Sequence, residues 1–532
     1  MKEALDRLAK AASISGLLDG AVAAYGGAIA FEHFGNSLSF SEFGLNADAL
    51  AAYLQTEMGV TKGTKVALMS PNCLASPVAT QAILKCGGVQ VSVNPLYTPD
   101  ELKHQLNDSE AEILLIFSGS IGSFQPIREE TGISQVMVIG LGDCGQTDLP
   151  SPPVPDGFGD YVTLAEALAT GAGLTFSPVS IGRDDMAFLQ YTGGTTGPSK
   201  GAVLTHGNIL SNLDQFFDRL SAVTVERGEV IVTALPLYHI FALVGNFLCY
   251  TSIGGKNILI TNPRDMDGFI ATIKSAGFTR LNGVNTLLAG MMLHPDFGAV
   301  DFSRLKLTLS GGTACMEAVS DQWKSFTGKP IIEAYGLSET SPALTISDPL
   351  LTEFTGAIGG AVKDTDIRLL DDDGNVVARG ERGELVCKGP QVFSGYYKKP
   401  EANKTAFTED GFFRTGDIAI EDEDGCYRIV DRKKDMVIVS GFNVYPTDIE
   451  QVATRAPGVQ ECACIGVPDD KTGEALRLYV VKAAGADPSP DEIIAFCRDY
   501  LTGYKVPKQI EFIPEVPKSA VGKVLRRELR SA

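Results

Sequence analysis

One stretch of sequence decides the fold, and it reads Tyr191-Thr192-Gly193-Gly194-Thr195-Thr196-Gly197-Pro198-Ser199-Lys200-Gly201. An apolar run at residues 186–189 precedes it and has the composition of a buried strand. Glycines allow a backbone to approach a phosphate so closely that its N–H groups face the anion. The threonine hydroxyls add donors and Lys200 adds a cation, so the stretch predicts a phosphate-binding loop. Its spacing differs from the Walker loop, because Ser199 and not glycine precedes the lysine.

Short apolar runs alternate with helical patterns on the N-terminal side of this loop. Residues 65–69, 89–93 and 113–117 each have the pattern of a buried strand. Helical patterns at residues 79–84 and 101–107 separate these strands. The alternation predicts an α/β fold with a largely parallel sheet.

The pattern changes towards the C-terminus. Turns at residues 371–375 and 422–425 lie between strand-like runs, and hairpin spacing of this kind favours antiparallel sheet. A chain of this length also exceeds one hydrophobic core. We therefore predict a large N-terminal domain (residues 1–430) with mostly parallel sheets plus a β-rich subdomain, a charged hinge (residues 431–435), and a small mobile C-terminal α+β domain (residues 436–532).

Composition limits the class of function. The chain has 532 residues, 65 of them acidic and 45 basic, and a formal net charge of −20. Such a charge repels a polyphosphate backbone, so we expect no nucleic-acid partner. The ten cysteines occur singly, without a CxxC pair, which favours a reducing cytoplasm over a zinc or disulfide framework. No apolar stretch is long enough to span a bilayer. We expect a cytoplasmic protein, with peripheral contact at the inner face of the membrane and a homodimer both left open.

The loop resembles the phosphate-binding motif of the adenylate-forming enzymes, which include acyl-CoA synthetases, firefly luciferase and the adenylation domains of peptide synthetases. Four further motifs resemble those of the family and follow in its order: Tyr335-Gly336-Leu337-Ser338-Glu339-Thr340, Thr415-Gly416-Asp417, Asp431-Arg432-Lys433-Lys434 and Pro517-Lys518-Ser519-Ala520-Val521-Gly522-Lys523. Together they cover nearly the whole chain. The resemblance implies an enzyme that adenylates a carboxylic acid, with a C-terminal domain that rotates about residues 431–434.

The resemblance also implies where the nucleotide binds. Tyr335 can stack on adenine, and Asp417 can accept hydrogen bonds from both ribose hydroxyls. Ser338 stands where the family has threonine and keeps the hydroxyl group. The residues expected to bind ATP are Thr192, Gly193, Gly194, Thr195, Thr196, Gly197, Lys200, Gly312, Thr313, Tyr335, Gly336, Ser338, Thr340, Asp417, Arg432 and Lys434.

Three side chains are expected to carry the chemistry. Glu339 is a hard oxygen ligand suited to Mg²⁺ on the ATP phosphates, and Thr195 is the second expected metal ligand. Lys523 is expected to approach the α-phosphate and the carboxylate, where negative charge develops. His239 is expected near the carboxylate, to which a neutral imidazole can donate a hydrogen bond. Taken alone, these residues would be explained as a helix-cap carboxylate, a surface lysine and a buried structural histidine.

The kind of acid is inferred from a segment that resembles the acyl-site region of the family, Leu235-Pro236-Leu237-Tyr238-His239-Ile240-Phe241-Ala242-Leu243-Val244-Gly245-Asn246. The segment contains no Asp or Glu. Burying the ammonium group of an amino acid without a partner would be costly, so an acid with an apolar tail fits better. The residues expected to line the tail are Phe241, Leu243, Val244 and Leu287, and ordinary core packing would also explain each of them.

Residues 410–434, 439–446 and 501–508 look most like stretches of bacterial long-chain fatty-acid–CoA ligases. The resemblance implies that a fatty acid, ATP and CoA are converted to acyl-CoA, AMP and diphosphate through an acyl-AMP intermediate. It also implies that Ser440, Gly441 and Phe442 form part of the channel for CoA.

Three other functions stay open at this point. A medium-chain or aryl acid–CoA ligase would share every motif, because sequence does not supply pocket depth. An acyl-AMP ligase that loads a carrier protein would not need CoA, and the intact stretch at residues 440–446 argues against it. A non-catalytic nucleotide-binding scaffold would have no need of Glu339, Asp417 or Lys523.

Overall fold

The computed structural model of the protein describes residues 1–146, 149–192, 198–440, 442–469, 471–519 and 522–531, with the backbone alone for Thr192 and Ser531. The chain divides into two compact units. The first unit comprises Met1–Gly356, Ala361–Thr365 and Gly389–Ala406, and the second comprises Ala357–Gly360, Asp366–Lys388 and Phe407–Ala532. The hinge predicted at residues 431–435 lies inside the second unit and stays a prediction.

The first unit alternates helices and strands. Its helices are α1 (Lys2–Lys10), α2 (Ile14–Tyr25), α3 (Phe40–Thr56), α4 (Ala75–Lys85), α5 (Pro99–Ser109), α6 (Ile121–Phe124), α7 (Leu164–Gly171), α8 (His206–Leu220), α9 (Ile240–Ala242), α10 (Cys249–Ser252), α11 (Met266–Ile273), α12 (Asn285–Met292), α13 (Glu317–Thr327) and α14 (Pro400–Ala406). Its strands are β1 (Ile29–His33), β2 (Asn36–Ser39), β3 (Lys65–Met69), β4 (Val89–Val93), β5 (Ile113–Phe117), β6 (Gln135–Ile139), β7 (Val162–Thr163), β8 (Met186–Thr192), β9 (Lys200–Thr205), β10 (Val230–Thr233), β11 (Lys256–Leu259), β12 (Arg280–Gly283), β13 (Leu307–Ser310), β14 (Ile331–Gly336) and β15 (Ala343–Ile346).

Two mostly parallel sheets form the framework of this unit. One has the strand order β7-β6-β5-β3-β4-β8-β9, and the other includes, in order, β15-β14-β13-β12-β10-β11-β1-β2. Antiparallel pairing occurs between β8 and β9, between β14 and β15, and between β1 and β2. The remaining pairs are parallel, as the alternation of strands and helices predicts.

The predicted strands at residues 65–69, 89–93 and 113–117 are confirmed and coincide with β3, β4 and β5. The predicted helices at residues 79–84 and 101–107 lie within α4 and α5. Mostly apolar runs are typical of parallel strands that are covered on both faces. Strand β4 is buried at every residue, including the polar Gln90 and Ser92.

Several helices begin at a reciprocal capping box, in which the side chains of the first and fourth residues each bond the backbone of the other. The boxes are Ser39 with Glu42, Thr98 with Glu101, Thr163 with Glu166, Thr205 with Asn208 and Ser489 with Glu492. They explain why these helices begin where they do. His206, the first residue of α8, is buried at such a start.

The second unit is built mainly from antiparallel strands. Its elements are β17 (Asp366–Leu370), β18 (Arg382–Lys388), β19 (Phe413–Glu421), β20 (Tyr427–Arg432), β21 (Val437–Val439), β22 (Phe442–Val444), α15 (Pro446–Ala453), β23 (Val459–Asp469), β24 (Gly473–Lys482), α16 (Pro490–Tyr500), β25 (Gln509–Phe512) and α17 (Arg526–Ser531). Strands β17 to β20 form a meander, and a second sheet has the order β22-β21-β24-β23 with β25 parallel to β24. This confirms the β-rich part and the small α+β part expected from the sequence.

A two-residue strand, β16 (Gly360–Ala361), falls where the chain passes from one unit to the other. None of the helices described above combines the length and apolar character that crossing a membrane requires.

Candidate active site

The candidate residues of the first unit follow the carboxyl ends of neighbouring strands. Strands β10, β12, β13 and β14 are adjacent and parallel, so the segments that leave their carboxyl ends meet at one edge of the sheet. These segments carry His239 after β10, Leu287 after β12, Gly312 and Thr313 after β13, and Glu339 after β14. In open α/β sheets this edge is the usual place for a ligand.

The predicted phosphate loop connects β8 to the antiparallel β9, with Thr192 opposite Lys200 and Tyr191 opposite Gly201. The two strands that flank the predicted loop are therefore paired with each other, and Lys200 is the first residue of the second strand. Gly193, Gly194, Thr195, Thr196 and Gly197 lie outside the described residues, and only the backbone of Thr192 is described.

The glycine at position 201 has a packing reason. A Cβ added there would lie 2.9 Å from the ring of Tyr191, which covers it from the opposite strand. This close approach lets the Tyr191 hydroxyl donate a hydrogen bond to Asp108 Oδ2 at 2.8 Å. Burial, together with the Asp108 carboxylate, raises the pKa of Tyr191, so the hydroxyl keeps the proton that it donates.

Tyr396 is a site residue that sequence reasoning did not select. It forms an isolated antiparallel bridge with Ala202 of β9. Its hydroxyl donates to Glu339 Oε1 at 2.7 Å, and the ammonium of Lys200 lies 5.3 Å from its ring centroid. One tyrosine thus contacts both the expected metal ligand and the lysine of the phosphate loop. No pattern in the sequence around residue 396 indicates this contact.

Glu339 lies in a 3-10 turn, Ser338–Thr340, whose three residues are all buried. The backbone N–H of Phe393 donates to its carbonyl at 2.8 Å. Thr340 has a structural task here, because its hydroxyl accepts from the N–H of Leu337 at 2.9 Å and bonds the carbonyl of Pro342. The turn thereby presents the Glu339 carboxylate and the Ser338 hydroxyl from a fixed backbone.

Replacing Tyr396 with phenylalanine should lower kcat/KM about tenfold, since hydrogen bonds to charged groups contribute roughly 1.5–3 kcal/mol. The phenyl ring keeps the contact with Lys200, so the loss reports on Glu339 alone. Steady-state kinetics over a range of magnesium concentrations measures it. Tyr397→Phe is the matched control, because the Tyr397 hydroxyl bonds the exposed Glu110 at 2.9 Å. Equal losses in the two variants would contradict the role of Tyr396.

Tyr335 and Gly336 end β14, and both are half-buried. A Cβ added at Gly336 would lie 1.7 Å from the carbonyl oxygen of Pro342, inside the backbone of the chain that returns as β15. The glycine is therefore required by the close approach of two backbone segments next to the site.

Gly336→Ala should destabilise the protein by about 2–3 kcal/mol, since the overlap is with backbone and not with a flexible side chain. Denaturant unfolding measures the change. Gly122→Ala is the control, because Gly122 lies in α6 and a Cβ there would meet nothing within 4 Å. An unchanged unfolding midpoint for Gly336→Ala would show that the β14–β15 connection is less closely packed than described.

The end of β13 leads into Gly312 and Thr313. Gly312 has a φ of +81°, which favours glycine, and a Cβ there would meet nothing within 4 Å. The hydroxyl oxygen of Thr313 is buried and has no hydrogen-bond partner among the described residues. Buried polar atoms without a partner are rare, so Thr313 fits a residue that bonds a ligand.

His239 begins α9, and its Nδ1 accepts a hydrogen bond from the N–H of Phe241 at 3.4 Å. A neutral ring then carries its proton on Nε2. The preceding segment is held by Asn72, whose amide donates to the carbonyls of Thr233 and Leu235 at 3.0 and 2.9 Å. The amide oxygen of Asn72 also accepts from Leu237 at 2.8 Å. The imidazole is thus presented from a rigid backbone.

The expected acyl-lining residues differ in burial. Leu243 and Val244 are fully buried, Phe241 is buried, and Leu287 is half-buried. The Phe241 ring covers the end of β13, since a Cβ added at Gly311 would lie 3.2 Å from it. The Phe241 ring therefore packs the predicted acyl segment against the strand end that leads into Gly312.

In the second unit, Asp417 and Arg432 are cross-strand partners of β19 and β20. The Arg432 Nε lies 3.5 Å from Asp417 Oδ1. Asp417 is buried, and its N–H bonds the hydroxyl of Thr415 at 3.1 Å. The register of one hairpin thus brings together two residues that the sequence motifs assigned separately to the nucleotide.

Lys434 is exposed as a residue, yet the pKa of its ammonium is lowered to about 8. Desolvation is the largest cause, and the positive charges of Arg432 and Lys523 add to it. Asp417 and Asp435 act in the opposite direction. The charges of the predicted ribose carboxylate, of Arg432 and of the predicted catalytic lysine therefore all act on Lys434 within this unit.

The predicted CoA-contacting stretch is also in the second unit. Ser440 has a φ of +53°, and its N–H donates to the carbonyl of Thr472 at 2.8 Å. Phe442 is 54% exposed and stacks on Tyr504, with ring centroids 4.6 Å apart and planes 17° from parallel. Gly441 lies outside the described residues.

Across the described ranges, no group of three or more His, Cys, Asp or Glu side chains could hold a metal ion. Magnesium bound to a nucleotide needs less from the protein, because one or two carboxylates and the phosphates suffice. The buried carboxylate of Glu339 fits that pattern.

Family models identify the class of protein. Residues 18–397 match the model described as AMP-binding enzyme, and residues 448–523 match the AMP-binding enzyme C-terminal domain. The chain therefore belongs to the AMP-binding enzyme family, as its motifs imply.

Individual relatives are similar over almost the whole chain. The long-chain-fatty-acid–CoA ligase of Salmonella typhimurium (strain LT2) is 44% identical, with 97% of this chain and 94% of the relative aligned. The ligase of the same name from Escherichia coli O6:H1 is 43% identical, with the same coverage. Among solved structures, ATP-bound MatB from Rhodopseudomonas palustris matches with a TM-score of 0.85 at 29% identity, covering 97% of this chain and 98% of that one.

Proposed function

We propose that the protein is an ATP-dependent long-chain fatty-acid–CoA ligase. It converts a fatty acid, ATP and CoA to acyl-CoA, AMP and diphosphate through an acyl-AMP intermediate. The observation that carries the proposal is the full-length similarity, 42–44% identity, to six proteins that each bear the name long-chain-fatty-acid–CoA ligase. The alignments cover 97% of this chain and therefore include residues of both units.

The acyl segment supports an apolar acid. Residues 240–248 are buried without exception, and none is charged. The one strongly polar side chain is Asn246, whose amide oxygen accepts from Asn282 at 2.8 Å and whose amide nitrogen contacts Thr233 Oγ1 at 3.3 Å. An amino-acid ammonium placed here would find no carboxylate in the segment, and burying it unpaired would be costly.

In the first half-reaction the fatty carboxylate attacks the α-phosphorus of ATP, and the bond to the leaving diphosphate breaks. Lys200 and the backbone of the loop hold the phosphates, while Asp417 and Arg432 hold the ribose. Magnesium, when bound, neutralises charge on the phosphates, and Glu339 with Thr195 would hold it. Lys523 stabilises the charge that develops at the reacting carboxylate and α-phosphate.

In the second half-reaction the CoA thiol attacks the acyl carbonyl and AMP leaves. We propose that residues 431–435 act as the hinge and 436–532 as the mobile domain that exchanges Lys523 for Ser440, Gly441 and Phe442. Splitting the reaction in this way separates two sites with incompatible requirements.

Exchange of labelled pyrophosphate into ATP across a panel of carboxylic acids tests the proposed function. Exchange should depend on saturated long-chain acids and fall as the chain shortens. A maximum for medium-chain or aryl acids would replace the long-chain assignment. AMP release that needs a carrier protein and not CoA would replace the CoA ligase.

The proposal extends to location and assembly. A long-chain acid partitions into lipid, so the protein is proposed to be cytoplasmic with peripheral contact at the inner face of the membrane. Sedimentation with anionic vesicles tests the contact. A homodimer, which the sequence leaves open, is tested by analytical ultracentrifugation.

A further inference from the structure

Helix α5 contacts the chain on both sides of the predicted phosphate loop, at Tyr191 of β8 and at Ser199, which directly precedes β9. The helix starts at the capping box of Thr98 and Glu101, with Pro99 as its first residue, so its position along the chain is well defined. His104 and Asp108 are four residues apart and therefore project from the same face. None of the nucleotide motifs includes either residue.

His104 contacts the residue that precedes β9. Its Nε2 lies 2.9 Å from the carbonyl oxygen of Ser199. A carbonyl can only accept, so the ring nitrogen carries the proton and donates. Because a trans peptide is planar, holding this carbonyl fixes the orientation of the peptide that leads into Lys200.

Asp108 contacts the end of β8. Its Oδ2 accepts from the Tyr191 hydroxyl at 2.8 Å, one residue before Thr192. Its Oδ1 pairs with the ammonium of Lys399, and its side chain is only 11% exposed. The ion pair keeps the carboxylate in place for the tyrosine, and burial makes the arrangement difficult to rearrange.

We propose that His104 and Asp108 are positioning residues for ATP, which hold Tyr191 of β8 and Ser199 before β9 so that Lys200 and the facing strand ends are set for phosphate. A glycine-rich sequence permits close approach to an anion, and its binding is helped when the residues on either side are already held in place. Because Tyr191 and Ser199 are already held in place, less conformational entropy must be lost when ATP binds. The inference rests on the proposed function, since it assumes that the predicted loop binds ATP.

The test is the dissociation constant of ATP, measured by calorimetry without any acid. His104→Ala should weaken ATP binding about three- to tenfold, the effect of losing one hydrogen bond. His104→Gln carries an N–H donor at a similar reach and should recover most of the affinity. Lys103→Ala is the matched control on the same helix, because Lys103 pairs with the surface residue Glu130 at 2.8 Å. In pyrophosphate exchange, His104→Ala should raise KM for ATP and leave KM for the acid unchanged.

Tyr191→Phe removes the hydrogen bond to Asp108 without changing a residue of α5, and it too should weaken ATP binding several-fold. Unchanged affinity in both His104→Ala and Tyr191→Phe overturns the inference. A glutamine variant as weak as the alanine variant, or a Lys103 variant equally weak, assigns the effect to general disturbance of α5 and overturns it as well. If the wild-type protein binds ATP but none of the tested acids supports pyrophosphate exchange, the proposed function is refuted. The inference about His104 and Asp108 is still tested in that case, because ATP binding can still be compared between the variants.

Discussion

Lys523→Ala is expected to slow formation of acyl-AMP by roughly 10²–10³-fold, the range found when one group that stabilises transition-state charge is removed. The second half-reaction, from supplied acyl-AMP and CoA to acyl-CoA, should keep nearly its full rate. Lys523 is expected to act only where the carboxylate and α-phosphate react, and that step is over once acyl-AMP exists. Single-turnover measurement of each half-reaction gives the two rates separately.

The backbone around Lys523 supports a defined position for this lysine. The N–H of Ser519 donates to the Lys523 carbonyl at 2.8 Å, and the N–H of Lys523 donates to Ser519 Oγ at 3.1 Å. Gly522, the residue before the lysine, has a φ of +76°, which favours glycine. The alanine substitution changes none of these bonds, so a loss of rate would not reflect a rearranged turn.

Lys518→Ala is the control for the same segment. Lys518 is paired with Glu461 at 2.7 Å within the second unit, so its charge is already engaged. This variant should keep both half-reactions within about twofold, as surface ion pairs contribute little. Equal loss of both half-reactions in Lys523→Ala would contradict the assignment, because it would mean that the lysine supports the unit as a whole.

Much of the fold is readable from local patterns. The mostly apolar runs at residues 65–69, 89–93 and 113–117 give the strand bounds directly, because parallel strands that are covered on both faces are rich in apolar residues. Turns rich in Asp and Gly at residues 371–375 and 422–425 predict the antiparallel pairing of the strands after residue 356. Signals of both kinds act over a few residues, so one sequence is enough to show them.

The contacts that position the candidate site act over longer distances. Tyr191 and Asp108 are 83 residues apart, and Tyr396 and Glu339 are 57 residues apart. No local pattern relates such pairs, since the order of strands in the sheet decides which segments become neighbours. Motifs also do not separate the residues that face a ligand from those that shape a turn. Thr340 illustrates this, because its hydroxyl bonds the backbone of its own turn.

Glu339→Gln is expected to reduce adenylation by at least about a hundredfold, since the substitution removes the buried carboxylate that we expect to bind magnesium on the phosphates. The glutamine oxygen can still accept the hydrogen bond of Tyr396, so the shape of the turn is retained. A rise in the magnesium concentration needed for half-maximal pyrophosphate exchange measures the effect on metal use. The matched control is Glu110→Gln, because Glu110 also accepts from a tyrosine hydroxyl, that of Tyr397, but on the surface. Glu339→Gln that lost activity with an unchanged magnesium requirement would show that the carboxylate acts on the substrate without the metal.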